Sequence, residues 1–249
     1  MPRLMTREIG SPEDVGAFFD GLARDYRDGH GAPDRLLRRR LAIIRRLLSG
    51  VRRSLLVEIG CGTGIHLFSL AGEFEGAVGA DLSPNMIESA AIVRRVHPYA
   101  SRISLIAESA ETMSGVGDGV ADAVLCVGAF EHMLDKPAVL KACFRILKRG
   151  GSFICLTPNR EFLWYTVLGP MLGLNTSHLS SDRFLKAREF RELLISAGLL
   201  PRETGYWTFI PKGDMPVWLG ALLSLLDRVG RAFSIPVLRG GLYVRAEKP

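Results

Sequence analysis

From Leu55 onward the chain alternates short apolar runs with stretches of helical periodicity, and that alternation limits it to one kind of architecture. The runs are LLVEIG (55–60), AVGADLS (77–83), ISLIAES (103–109), ADAVLCVGAF (121–130) and GSFICLTP (151–158). Runs this short and this rich in Val, Ile and Leu are buried on both faces, as strands of a parallel sheet covered by helices are. Helices are expected between them at Gly64–Glu73, Pro84–Val96 and Lys136–Lys148, the last closed by Gly150-Gly151 as a C-cap, since glycine takes the left-handed conformation a helix end requires. A further helix over Lys186–Ala197 stops at Gly198. Two more strands are expected at Arg202–Ile210 and Gly241–Glu247, with an apolar helical insertion between them. Before the core, residues 12–50 form a helical cap: one helix opens at Ser11 or Pro12 and runs through FFDGLARDY, and a second covers Arg35–Leu48. In the second, Leu36, Leu37, Leu41, Ile44, Leu47 and Leu48 share one face and leave the arginines on the other. The expected fold class is therefore α/β, a seven-stranded, mostly parallel sheet with helices on both faces. It should form one domain over 1–249, with its core at 54–160 and insertions at 161–185 and 212–240.

The first strand leads through Glu58 into Gly60-Cys61-Gly62-Thr63-Gly64, a turn that opens a helix. Glycines there let a ligand approach the backbone, and the helix N-terminus offers unpaired N–H groups. The dinucleotide fingerprint G-x-G-x-x-G would need a glycine at 65, where Ile65 stands, so a pyrophosphate ligand, and with it a nucleotide-dependent oxidoreductase, is disfavoured. The carboxylate of Glu58 would repel a phosphate and suits a cationic amine, such as the methionyl end of S-adenosylmethionine. At the next strand end Asp81 can accept hydrogen bonds from two ribose hydroxyls. At the third, Glu108 can take an adenine amino group. Three consecutive strand ends thus match amino acid, sugar and base.

With those residues in view, VEIGCGTG, GADLSPNMIESA, AESAE and DAVLCVGAFEHM followed by LKRGGSFICLTPN resemble the motifs of class I S-adenosylmethionine-dependent methyltransferases, a Rossmann-like family. The likeness spans Leu55 to Asn159. It implies that Gly60, Gly62 and Gly64 line the methionine, Asp81 the ribose, Leu82 and Met86 one adenine face, and Glu108, Ser109 and Ala110 the base edge. Cys61 and Val127 join the cofactor set. FFDGLARDY is similar to N-terminal helices of the family, which implies that Tyr26 lies near the transferable methyl. From the cap, Arg35 or Arg38 could reach the cofactor carboxylate.

A sulfonium donor is already activated, so such an enzyme must mainly align its acceptor and remove a hydroxyl proton. His132, just past the fourth strand, is the first candidate base because an unperturbed imidazole titrates near neutrality. Glu131 would orient it or face the acceptor; alternatively the pair only caps the local turn. His178, in the segment expected to overhang the site, is the second candidate. His30, His66 and His97 read as loop or helix-surface residues. Within the family the chain resembles the ubiquinone-biosynthesis O-methyltransferases, through the glutamate-histidine after strand four, the TPN ending and SHLSSDRFLKAREFRELLISAGL. Those enzymes share E-x-x-E-H, proposed to bind a divalent metal. Here Gly128 holds the first position, leaving Glu131 and His132, and no metal is expected. The acceptor is expected to be a small or lipid-like molecule methylated on a hydroxyl oxygen of an aromatic or isoprenoid-type compound. The alternatives are a non-catalytic S-adenosylmethionine-binding partner subunit, or a methyltransferase of nucleic acid or protein.

Composition narrows the partners. The formal charge is +6 over 249 residues, and eight arginines between Arg35 and Arg53 supply much of the excess. That helix carries no aromatics for base stacking and most of the rest of the chain is not basic, so a solvated face is expected and nucleic acid is disfavoured. Cys61, Cys126, Cys143 and Cys155 show no CxxC spacing, which points to neither a disulfide framework nor zinc. MPRLMTREIGSPED lacks the apolar core of a signal peptide, so a cytoplasmic location is expected, with contact at the inner membrane face left open. The apolar stretch Met215–Leu238 contains Asp227, Arg228, Arg231, Pro216 and Pro236, which argues against a span. Phe162–Leu174 and Trp218–Phe233 exceed what a minimal methyltransferase needs. They read as a packed cap, a homodimer face, a greasy acceptor tunnel or an interfacial helix.

Overall fold

The computed structural model describes residues 9–22, 33–171, 179–208, 217–233 and 235–249. Seven strands, β1 (Leu55–Ile59), β2 (Gly76–Asp81), β3 (Ile103–Ala107), β4 (Ala121–Val127), β5 (Leu147–Pro158), β6 (Leu200–Trp207) and β7 (Gly241–Glu247), form one sheet in the order β3-β2-β1-β4-β5-β7-β6. All pairings are parallel except those of β7, which runs antiparallel to both β5 and β6. The chain steps from β1 outward to β3, then returns past β1 to β4 and continues the other way. The order therefore reverses between β1 and β4, and in open α/β sheets a crevice opens at that point beyond the carboxyl ends of the strands.

Successive strand residues face opposite sides, so each strand feeds two cores. Val57, Ile59, Val124 and Cys126 pack with Val139, Leu140 and Ile146 of α5 (Lys136–Ile146) and with Phe190 and Leu194 of α7 (Ala187–Ser196). On the other face Leu56, Leu125 and Ile154 meet Leu67 and Leu70 of α3 (Ile65–Leu70) and Leu41, Ile44 and Leu47 of α2 (Pro33–Leu47). Ile44 and Leu47 are fully buried, each worth about 1.5–3 kcal/mol of transfer free energy. The remaining helices are α1 (Pro12–Leu22), α4 (Pro84–Arg95), the short α6 (Gly169–Met171) and α8 (Val217–Ala232).

Several boundaries differ from the sequence reading. Helix α5 ends at Ile146 and Gly150-Gly151 is no helix cap: it lies within β5, where the register slips between the pairs Ala121↔Leu147 and Ala123↔Ser152. Gly150 has φ +74°, and a Cβ on Gly151 would stand 2.9 Å from the Lys148 carbonyl, so the glycines make a bulge that a side chain would block. Helix α3 is six residues long, its last turn tightening to a 3₁₀ helix at Ala71–Glu73. Strand β6 begins at Leu200, and the expected end at Ile210 lies outside the described residues. The arginine face of α2 is only partly solvated. Arg45 pairs with Glu73 at 2.7 Å, Arg46 with Glu203 at 2.6 Å, and the Arg40 guanidinium lies 5.6 Å from the Trp207 ring centre. These arginines tie the cap to the sheet.

The two apolar insertions meet each other. Phe162 and Trp164, which enter a π-helical turn at Trp164–Leu168, form a third small core with Leu223 of α8. Asp227 of α8 is buried and accepts from Arg239 Nε at 3.0 Å and the Thr208 hydroxyl at 2.6 Å, which ties α8 to the sheet side. On its outer face Leu222, Leu225, Val229 and Phe233 are exposed. Among the described residues no helix is long and apolar enough to cross a membrane.

Candidate active site

A cleft that is open at its mouth lies at the reversal point. Its floor is the glycine turn after β1, and Gly60 (φ +62°) and Gly62 (φ +53°) adopt backbone that disfavours any side chain. A Cβ on Gly60 would also collide with Ala129 in the turn after β4, so the two strand ends approach as closely as they do only because this position lacks one. Gly64 does not line the cleft. With φ +81° it starts α3, and a Cβ there would sit 2.5 Å from the Phe68 ring.

Asp81 ends β2 at the cleft wall. Its carboxylate accepts the Gly62 N–H at 2.7 Å and the Ser83 N–H at 2.9 Å, which locks the glycine turn to the β2 end. Burial raises its pKa above the usual carboxylate value, against the lowering effect of those two donors. Ser83 caps α4 by accepting the Met86 N–H at 3.1 Å, and its hydroxyl donates to Asp20, so α1 is pinned over the cleft. Leu82, Met86, Ser109 and Ala110 line the same wall, with Pro12, Val15 and Phe19 of α1 and Met133 and Leu134 opposite as apolar contributors absent from the sequence reading.

Beneath the turn Glu58 is 1% exposed, and neither carboxylate oxygen has a hydrogen-bond partner. His66 Nδ1 is 3.2 Å from Glu58 Oε1 but not aligned as a hydrogen bond, and its Nε2 is also buried and unpartnered. His66 is thus no surface residue: it belongs to a buried polar pair under the ligand turn. An orphaned buried carboxylate is costly unless a donor completes it, and a ligand ammonium is such a donor.

Other expected residues have different placements. Cys61 and Val127 pack into the interior, the former with its thiol pushed well up by burial. Gly128 and Ala129 line the cleft in place of Val127. Glu108 lines it too, but its oxygens already accept from the Ser114 N–H and hydroxyl, from Thr112 Oγ1 at 3.2 Å and from the Gly115 N–H at 2.9 Å. Burial pushes its pKa up, yet these donors outweigh that and hold it below the ordinary value, so Glu108 organises the 112–115 loop while still facing the cleft, with Oε2 accepting only the Gly115 N–H. Tyr26 and His178 lie outside the described residues, as does the side chain of Arg35.

His132 lines the cleft from the 3₁₀ turn Phe130–His132, with its ring 5.2 Å from Phe19. Its Nδ1 stands 2.5 Å from Asp182 Oδ1. Burial opposes its charge, but Asp182 and then Glu131 raise its pKa above the usual imidazole value. Glu131 points inward and accepts the Thr157 hydroxyl at 2.9 Å, away from the cleft lining. Lys136 donates to the Glu131 and Met133 carbonyls at 3.2 and 2.8 Å, and burial lowers its pKa to about 8. Gly128, at the first position of the metal-binding pattern of the resembled enzymes, has φ +64°, and a Cβ there would face Arg40 Nη2 at 3.5 Å. Among the described residues no three metal-ligating side chains converge. The sequence reading missed Asp182; its signal was the polar segment singled out for His178, while its pairing with His132 is purely tertiary.

A family model described as a methyltransferase domain matches residues 57–155. The chain is 33% identical over 162 residues to the ubiquinone biosynthesis O-methyltransferase of Thiobacillus denitrificans, covering 62% of this chain and 68% of that one. It is 32% identical over 204 residues to the enzyme of the same name from Xanthomonas oryzae pv. oryzae, covering 80% of this chain and 74% of the other. The chain belongs to the class I S-adenosylmethionine-dependent methyltransferases. This methyltransferase shares its fold with the geranyl diphosphate C-methyltransferase of Streptomyces coelicolor A3(2), at TM-score 0.66 and 15% identity over 96% of this chain and 97% of that one. The [4+2]-cyclase SpnF also shares it, at TM-score 0.70 and 17% identity over 98% and 99% of the two chains. The donor of the methyltransferase is S-adenosylmethionine, and the bare glycine turn and Asp81 that line the cleft fit it, with the Glu58 carboxylate buried behind the turn without a hydrogen-bond partner.

Proposed function

We propose that this methyltransferase transfers the methyl group to a hydroxyl oxygen of a small, greasy acceptor, an aromatic or isoprenoid-type compound. The observation that carries the reading is a histidine in an otherwise largely apolar cleft: His132 lies with Phe19, Val15, Met133 and Leu134 around the opening beside the glycine turn. A hydroxyl needs a base and a greasy ring or tail needs those walls, and the relatives named O-methyltransferases support the same chemistry. Glu58 holds the donor's ammonium, Asp81 its ribose, and Leu82 with Met86 one face of its base. The bound sulfonium supplies the methyl: the acceptor oxygen forms the C–O bond as the C–S bond breaks and its electron pair stays on sulfur. The chain's own task is to exclude water, align the hydroxyl and receive its proton at His132.

The finer proposal is that the acceptor is met at a lipid surface. The exposed stripe Leu222, Leu225, Val229 and Phe233 on α8, flanked by exposed Arg228 and Arg231, has the chemistry of a helix lying on an anionic membrane. Labelled-methyl transfer into a cell extract, partitioned into aqueous, organic and macromolecular fractions, tests the acceptor class. Label in the organic fraction, removable by ether cleavage, supports it; label in the macromolecular fraction refutes it.

A further inference from the structure

After β5 the chain runs beside the His132 turn at Leu179–Leu185, held there by attachments that include three from Arg183, Leu185 and Asp182. The Arg183 N–H donates to the Glu131 carbonyl at 3.0 Å, and the Arg160 N–H donates to the Leu185 carbonyl at 3.2 Å. The third is Asp182, whose side chain is fully buried: one oxygen meets His132 Nδ1 at 2.5 Å and the other accepts the Leu179 N–H at 3.0 Å. A carboxylate in this position is a pure acceptor, so the imidazole nitrogen facing it must carry the proton.

We propose that Asp182 is the positioning residue of this methyltransferase, holding His132 with its proton on Nδ1 so that Nε2 is the atom that takes the acceptor's hydroxyl proton. The inference rests on the reading of His132 as the base. When the acceptor oxygen gives up its proton, Nε2 gains it and the ring becomes an imidazolium in a buried setting, which is costly without a counter-charge. Among the described residues the charged groups that act on the ring include Glu131 and Lys136, which are of opposite sign and oppose each other's effect. Asp182 is the anion in hydrogen-bond contact. It comes from the segment after β5 rather than from a strand end, so the base is complete only when that segment is seated.

The test compares Asp182→Asn, Asp182→Glu and His132→Gln in the full chain. It uses transfer of labelled methyl to octylcatechol as the acceptor probe, calorimetric binding of S-adenosylhomocysteine, and nitrogen-15 NMR of the His132 ring. In the native protein the neutral ring should carry its proton on Nδ1. In Asp182→Asn, where an amide can donate as well as accept, the single tautomer should be lost. There kcat should fall about tenfold or more while the octylcatechol KM and the product affinity stay within about twofold, and Asp182→Glu should recover part of the loss. Unchanged product affinity in the variant reports that the fold is intact. A native His132 with its proton on Nε2 overturns the proposal, and that measurement needs no acceptor. So does an Asp182→Asn enzyme that keeps kcat while His132→Gln loses it, an outcome that leaves the base reading standing. Full turnover by His132→Gln instead removes the base reading and this proposal with it.

Discussion

Asp81→Asn isolates the sugar end of the donor site. Asp81 already accepts N–H groups from Gly62 and Ser83, and the amide keeps one acceptor oxygen while turning an NH₂ towards the other donor. The ribose loses a charged acceptor, and hydrogen bonds to charged groups contribute about 1.5–3 kcal/mol. A loss of about 2 kcal/mol corresponds to a Kd for S-adenosylhomocysteine raised about 30-fold. At a ligand concentration a hundred times the native Kd, the native protein gains about 2.7 kcal/mol on binding and the variant about 0.9. For a chain of this length the difference of about 1.8 kcal/mol corresponds to a ligand-induced Tm shift about 4–7 °C smaller. The unliganded variant should itself be less stable by about 1–3 kcal/mol, because one backbone N–H at the turn faces a donor. Differential scanning fluorimetry with and without ligand separates the two effects. An Asn variant that is destabilised but binds with the native Kd would refute the ribose role and reduce Asp81 to a staple of the glycine turn.

Other expectations follow from the same geometry. His132 must be neutral to accept a proton and its folded-state pKa is raised, so kcat should climb with pH through a midpoint above 6.5; a flat profile from pH 6 to 9 argues against the base. Stability runs the opposite way: the protonated ring stabilises the fold below the unfolded value near 6.5 and that contribution fades as pH rises through the folded pKa, so His132→Gln should destabilise more at pH 5.5 than at pH 9 in urea unfolding. Asp227→Ala leaves Arg239 buried without the carboxylate that receives its Nε, and should cost about 3–5 kcal/mol in denaturant midpoint analysis. Leu225→Glu with Phe233→Glu should abolish flotation with anionic liposomes without changing product binding, and a native protein that never floats removes the lipid-surface proposal.

The sheet was legible because its signal is local. A strand buried on both faces has to be a short run of Val, Ile and Leu, and each run here is bounded by glycine, proline or an acid, so five strand positions and the glycine turn could be read one segment at a time. The error at Gly150-Gly151 shows the limit. Two glycines after a helix and two glycines in a bulge have the same sequence signature, and only the pairing of Ser152 with Ala123 decides between them. Side-chain roles were less legible for a related reason. Glu108 has the right type and position to meet a base and does line the cleft, but its hold on the loop at 112–115, through both oxygens, has no local sequence signal. His66 stands near the start of the expected helix Gly64–Glu73 and reads as surface, but the short α3 turns it under the cleft beside Glu58.

The two halves of the proposed site are built on different principles. The donor half is made of strand ends and a turn, where identity, order and spacing fix position. The proposed acceptor half comes from α1, the turn carrying His132 and the segment carrying Asp182, whose partners lie far off in sequence: Asp182 pairs with a residue 50 positions away and Asp20 of α1 with one 63 positions away. Donor affinity should therefore survive changes in α1 and 179–185 that alter which acceptor is used. Phe19→Ala puts this to the test: it removes the ring packed against His132, and should raise the KM for a long-chain acceptor probe such as octylcatechol more than that for catechol, with the S-adenosylhomocysteine Kd unchanged. Equal effects on both probes would mean that α1 shapes the base rather than the acceptor's tail.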